Sequence, residues 1–153
     1  MTIALVRHAK AGSRQRWSKA DHLRPLSKPG RVQALAVADN LSASGITRIV
    51  SSPFVRCRQT IEPLADRIGV GVELSDALAE GASLTDSLLI VEKLLDQDVV
   101  LCTHGDVLSN LLDHYARHGV PLDNHRLEKG STWELDVIDG HVRAARYVPP
   151  PAG

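Results

Sequence analysis

Four side chains in three separated stretches have the types and settings to act together on one anion. Arg7 and His8 close the apolar run Ile3-Ala4-Leu5-Val6. Arg56 lies in Ser52-Pro53-Phe54-Val55-Arg56-Cys57-Arg58-Gln59-Thr60, and His104 in Cys102-Thr103-His104-Gly105. A phosphoryl group in transfer spreads negative charge over its oxygens, and planar guanidinium forks match those oxygens where lysine offers a point charge. Arg7 and Arg56 suit that role. A histidine held through one ring nitrogen presents the other, unprotonated, to phosphorus as a nucleophile, and water then opens the phosphohistidine. His8 is the candidate nucleophile, and His104 the donor that stabilises the developing charge. This scheme calls for no metal and no other cofactor. The rival reading, a zinc site started by His8 and His104, lacks a third and fourth ligand and sets Arg7 beside the cation. One histidine or arginine at a strand end is usually an ordinary surface residue, so the reading rests on the four together.

The elements that must position these residues follow from local patterns. Ile3–Val6 and Val99–Cys102 read as strands buried on both faces, each ending where a site residue begins. Ser27 caps a helix opened by Lys28-Pro29, with Leu35, Ala38 and Leu41 on one face and Gly45 after it. Ile46–Val50 is the next strand, Ser51-Ser52-Pro53 a turn, and a helix carrying Arg56, Gln59, Ile61 and Leu64 runs to Gly69. Val70, Val72 and Leu74 make a short edge strand, followed by a loop with Glu80 and Gly81. Leu84, Leu88, Val91 and Leu95 fall at helical spacing, and Val107, Leu108, Leu111, Leu112 and Tyr115 form another helix. From Thr132 the period becomes two, and Asp139-Gly140 marks a hairpin. Pro149-Pro150-Pro151 is a tail that cannot join a sheet. Alternating strands and helices predict a three-layer α/β/α sandwich with a mostly parallel sheet, at whose carboxyl edge such folds carry their sites. Ala9–Pro29 has no periodicity and many cations, among them Arg14 and Arg24, and reads as a long basic loop that Trp17 folds over something.

A chain of 153 residues is expected to form one domain, 1–153. Eighteen basic residues balance eighteen acidic ones, so no global field marks a nucleic-acid or polybasic membrane binder, and affinity for anions must be local. Apolar runs are too short to span a bilayer, and no secretory leader pattern opens the chain, so a cytoplasmic location is expected. Cys57 and Cys102 form no framework, which fits a reducing compartment, and Cys102 is expected to pack rather than react. His22, His114, His118, His125 and His141 read as ordinary exposed histidines.

These stretches together resemble the histidine phosphatase superfamily, the phosphoglycerate-mutase-like fold, in its small phosphohistidine-phosphatase-like branch. The matches are Leu5-Val6-Arg7-His8-Ala9, Pro25-Leu26-Ser27 through Gly30 with Gln33-Ala34, Ser51-Ser52-Pro53 through Arg56 with Gln59-Thr60, and Thr103-His104-Gly105. The resemblance implies phosphohistidine chemistry at His8 and a phosphate pocket of Arg7, Arg56 and His104. Ala9 stands where the commoner form has glycine, and the insertions that cap mutases and phytases are absent, so an open pocket is expected and a phosphatase rather than a mutase. Glu128-Lys129-Gly130-Ser131-Thr132-Trp133 and the loop with Ser13, Arg14 and Trp17 are similar to phosphatase domains found behind Nudix domains, though this chain has no Nudix box. The implied partner is a phosphorylated small molecule, nucleotides included, or a phosphohistidine protein. A catalytically idle phosphate-binding or regulatory module on the same fold is the alternative.

Lys10, Ser13 and Arg14 are candidate substrate-binding residues. An ester phosphatase also needs an acid to protonate the departing alkoxide. Glu80, in the region where the family's acidic residue falls, is the first candidate, although Ala77-Leu78-Ala79-Glu80-Gly81 matches that pattern only loosely. Asp106 is the second, and its place at a helix start is equally explained by capping.

Overall fold

Among the described residues six strands form one sheet in the order β3-β2-β4-β1-β5-β6. In chain order they are β1 (Thr2–Arg7), β2 (Arg48–Ser51), β3 (Val72–Leu74), β4 (Val99–Thr103), β5 (Thr132–Ile138) and β6 (His141–Val148). Four helices accompany them: α1 (Lys28–Leu41), α2 (Val55–Ile68), α3 (Leu84–Lys93) and α4 (Gly105–Arg117). The computed structural model describes residues 1–150. Pro149 and Pro150 follow β6 outside any strand, and Pro151 of the proline tail lies outside the described residues.

The first four strands are parallel, and β5 and β6 run antiparallel at one edge. Strand alternation divides the core in two. Ile3 and Leu5 of β1, with Val99 and Leu101 of β4, pack on Val91 of α3 and on Leu108 and Leu111 of α4. Ala4, Val6, Val100 and Cys102 face the other way, onto Val37 and Leu41 of α1 and Ile61 and Leu64 of α2. A strand that must be apolar on both faces reads as a continuous hydrophobic run, which is why Ile3–Val6 and Val99–Cys102 stand out in the sequence. This is the expected α/β/α sandwich.

From β1 the chain passes to β2 and β3 through α1 and α2 on one face, then returns through α3 on the other to place β4 between β2 and β1. The reversal leaves a crevice beyond the carboxyl ends of β1 and β4, the usual binding position in open α/β sheets. Among the described residues no helix is long and apolar enough to cross a membrane.

Local chemistry sets the element ends. The Gly30 amide donates to Ser27 Oγ at 3.2 Å, capping α1 with Pro29 in its first turn. Asp139 and Gly140 both have positive φ, 53° and 74°, as the primed turn of a two-residue hairpin requires. Three expectations need correction. Leu35 is 52% exposed, because the buried stripe of α1 is instead Val37, Ala38 and Leu41, packed on the sheet and α2, with Ala34 against Ala9 and Leu26. Leu95, though buried, lies beyond the end of α3. The basic loop is far from structureless: Ala11 pairs with Leu26, Asp21–Leu23 forms a 3₁₀ turn, and the Arg24 guanidinium donates to the Gly12 carbonyl at 2.6 Å. Trp17 bonds within the same loop, its indole N–H donating to the Ala20 carbonyl at 2.9 Å.

The loop is stapled to α1 at a point that admits no side chain. Lys10 O accepts from the Ser27 amide at 3.0 Å, and a Cβ added at Gly30 would lie 1.8 Å from that oxygen. Gly30→Ala is therefore expected to lower stability by about 1–3 kcal/mol, read as a shift in the urea midpoint. An unchanged midpoint would mean that the loop moves away freely.

Candidate active site

Backbone hydrogen bonds lock the end of β1 from both sides. The His8 amide donates to Thr103 O at 3.0 Å and the Arg7 amide to Ser131 O at 3.0 Å, while the Gly130 amide reaches the carbonyls of Arg7 and His8 at 3.1 and 3.2 Å. Arg7 Nη1 donates to the Leu127 carbonyl, and its Nε has no partner. The guanidinium lies flat against the first residue of α4, where a Cβ on Gly105 would come within 2.9 Å of Arg7 Cζ. Glycine after His104 thus makes room for the arginine after Val6. Burial pulls the Arg7 guanidinium below its ordinary value, and Asp106 opposes that shift.

His8 is 5% exposed, with Nδ1 at 2.8 Å from the Ala9 carbonyl. A carbonyl only accepts, so Nδ1 carries the proton and Nε2 keeps its lone pair. Burial lowers the imidazole to about 3; the Ala9 bond opposes this, and the charges of His104, Arg56 and Arg7 add to it. The unfolded chain therefore binds a proton here between about pH 6.5 and 3 that the folded protein does not, and stability rises with pH across that window. Relative to the parent, His8→Gln is expected to be about 2 kcal/mol better off at pH 5 than at pH 7.5. Urea midpoints at the two pH values measure this, and an equal difference at both would place a charged imidazole in the folded site.

His104 enters from the end of β4. Its Nε2 lies 2.9 Å from Ser52 Oγ and 3.5 Å from Cys57 Sγ, and its buried Nδ1 has no partner. Ser52 Oγ already accepts from the Phe54 amide at 3.2 Å, so its hydroxyl proton is free to bond Nε2 and leave Nδ1–H as a donor. The His8 and His104 ring centroids are 5.3 Å apart, and the Phe54 ring is 4.7 Å from His104. Cys57 and Cys102 are free buried thiols in an apolar cluster, and burial pushes Cys102 upward. The sequence reading of Cys102 as packing agrees with this.

Arg56, in the first turn of α2, is completely buried. Nη1 donates to Asp21 O at 2.9 Å, and Nη2 to Asp21 Oδ2 at 3.0 Å and Glu80 Oε1 at 3.3 Å, while Nε is unpartnered. Asp21 also accepts from Arg24 Nε at 3.2 Å. Burial alone would raise the Asp21 carboxyl, but Arg24 and Arg56 outweigh it and hold the group below its ordinary value. Asp21 thereby ties the basic loop to Arg56. Glu80 Oε1 also lies 3.4 Å from Arg14 Nη2, and the next amide, Gly81 N–H, donates to Asp106 Oδ2 at 2.8 Å. Asp106 therefore anchors the loop that carries Glu80.

Arg7, His8, Arg14, Glu80 and Asp106 line one cleft of about 590 Å³, with Arg56 and His104 buried beside it. Lys10 and Ser13 do not line it. Both are exposed, and Lys10 contributes its backbone, the amide donating to Gln33 Oε1 at 2.9 Å. Sequence reasoning passed over Arg24 and Lys129, which line the cleft, and Asp21 and Ser52, which orient Arg56 and His104. The one available signal was Arg24 beside Pro25-Leu26, a cation next to apolar residues inside a polar loop. Three buried nitrogens, Arg7 Nε, Arg56 Nε and His104 Nδ1, lack partners in the neighbourhood of the neutral His8 imidazole. Buried donors seldom go unsatisfied, and an oxyanion is a group suited to accept from guanidinium and imidazole N–H.

Comparison with known proteins bears on the fold and the family. An 8-oxo-(d)GTP phosphatase of Mycolicibacterium smegmatis is 37% identical over 98% of this chain, and the chain spans 48% of that relative's length. The solved structure of the protein histidine phosphatase SixA complexed with tungstate superposes with a TM-score of 0.74 at 17% identity, covering 97% of this chain and 94% of that one. The native structure of mycobacterial glucosyl-3-phosphoglycerate phosphatase Rv2419c gives 0.70 at 19% identity, covering 95% and 96%. The family model for the histidine phosphatase superfamily, branch 1, matches residues 3–83, a stretch that holds Arg7, His8, Arg56 and Glu80. On that match, with the sheet order and strand-end residues of the fold behind it, the chain belongs to the histidine phosphatase superfamily.

Proposed function

We propose that the chain is a phosphatase acting through a phosphohistidine at His8, and that residues 1–153 form a single domain for this purpose. The unpartnered buried nitrogens of Arg7, Arg56 and His104 beside a neutral His8 carry the reading. In the first step the Nε2 lone pair of His8 forms the P–N bond as the bond from phosphorus to the leaving group breaks, and Glu80 supplies the leaving oxygen's proton. In the second, water attacks phosphorus and gives a proton to the Glu80 carboxylate, the P–N bond breaks back to His8, and inorganic phosphate departs. Arg7, Arg56 and His104 hold the equatorial oxygens throughout, where preorganised donors contribute most. Every step uses side chains alone.

The substrate is a phosphorylated small molecule, a nucleotide-type phosphate or a phosphohistidine protein, reached through an open cleft. The names of the relatives support phosphatase chemistry in this class, 8-oxo-(d)GTP phosphatase among them. Reaction with a radiolabelled aryl phosphate, stopped in alkaline denaturant within the first turnover, should leave label on His8. Label on no residue, or on Cys57 or Cys102, would exclude the mechanism. Phosphate binding without any turnover would instead support an idle phosphate-binding module.

A further inference from the structure

Beyond the phosphoryl pocket, three cations stand on the cleft wall. Arg14, Arg24 and Lys129 line the same cleft as His8. Arg14 pairs with the carboxylates of Asp21 and Glu80 and Arg24 with that of Asp21, whereas Lys129 makes no ion pair among the described residues. Its backbone is nevertheless held closely. Lys129 O accepts from Gln33 Nε2 at 3.2 Å, the Gly130 amide bonds the carbonyls of Arg7 and His8, and Leu127 O takes the Arg7 guanidinium. A long flexible cation is thus mounted on the segment that clamps the catalytic strand, with its ammonium uncompensated. The chain as a whole is neutral, so this excess is local and is not part of a general basic surface.

We propose that Lys129, with Arg14 and Arg24, forms a second anion subsite, so that the preferred substrate is a small molecule bearing a second phosphate beside the one transferred. Burial, and then the charges of Arg7, Arg24, Arg14 and Arg56, lower the Lys129 ammonium, as expected where cations gather without an anion. A diphosphate, polyphosphate or closely spaced bisphosphate would supply that charge. The cleft is of small-molecule size, and no Phe, Tyr or Trp is among the described residues that line it, so selection works through charge rather than stacking. A phosphohistidine side chain carries no second phosphate, and the subsite would be idle on it.

This inference rests on the phosphatase reading, and its test separates the two. Turnover of p-nitrophenyl phosphate is measured with inorganic phosphate or inorganic pyrophosphate as competitor. Pyrophosphate should bind about tenfold tighter than phosphate, one added charge-assisted contact. Lys129→Ala should remove most of that advantage, Lys129→Arg should keep it, and Arg14→Ala combined with Lys129→Ala should abolish it. An advantage that survives the double variant overturns the subsite, as does a phosphohistidine protein turned over faster than any diphosphate. If the parent protein does not hydrolyse the aryl phosphate at all, the phosphatase reading fails, and calorimetric binding of pyrophosphate against phosphate to parent and variants still decides the subsite.

Discussion

His8→Ala is expected to lose turnover by about 10⁴-fold or more while the protein still folds. Nothing else near the cleft can replace the nucleophile: Cys102 is packed in the apolar cluster, and Cys57 lies behind His104 on its Nε2 side. Residues that act as one catalytic unit fail together, so deleting the attacking atom removes nearly all the benefit of the arginines around it. Folding should survive because the His8 side chain makes one short-range hydrogen bond, to the Ala9 carbonyl, and the strand is held by its backbone. The measurement is kcat for an aryl phosphate beside the far-ultraviolet spectrum and urea midpoint of the same preparation. A folded His8→Ala protein that retains even a hundredth of the activity would point to another nucleophile.

The parts of this site that were legible in the sequence are those set by local or periodic constraints. Arg7-His8 and His104-Gly105 could be placed at strand ends because both strands are apolar on two faces and stop abruptly at polar residues. Asp139-Gly140 announced its turn because few other dipeptides tolerate two positive φ angles. The loop between β1 and α1 was opaque, because its order comes from distant partners: Leu26 N–H on Gln59 Oε1, Arg56 on the Asp21 carbonyl, Arg24 on Gly12. Such bonds leave no period. The same cause separates Arg14 from Lys10 and Ser13. Nearness to His8 along the chain made all three candidates, yet the bend of the loop turns only Arg14 into the cleft. Lys129 was invisible for the opposite reason, since it is far from His8 in sequence and is brought there by the antiparallel pairing of β5 with β1 and the clamp at Gly130.

Glu80→Gln should slow alkyl phosphates by about 10²–10⁴-fold while affecting phosphohistidine and activated aryl phosphates far less. An alkoxide leaves badly without a proton in the transition state, whereas a nitrophenolate or a histidine nitrogen depends on such an acid much less. Both carboxylates line the cleft beside His8, and Asp106 Oδ2 accepts from the Gly81 amide in holding the loop, so Glu80 is the acid we propose for this task. In the free protein Glu80 Oε1 is shared between Arg56 and Arg14. Phosphoryl oxygens arriving at Arg56 compete for the same guanidinium, which would free the carboxyl group to turn toward the leaving oxygen. Glutamine keeps the hydrogen-bonding shape but has no acidic proton to give, so the variant separates proton donation from positioning. Equal losses on all three substrate types would reduce Glu80 to a binding residue. Asp106→Asn should loosen the Glu80 loop and reduce all rates by a similar factor, and a loss confined to alkyl phosphates in that variant would move the proton donor to Asp106.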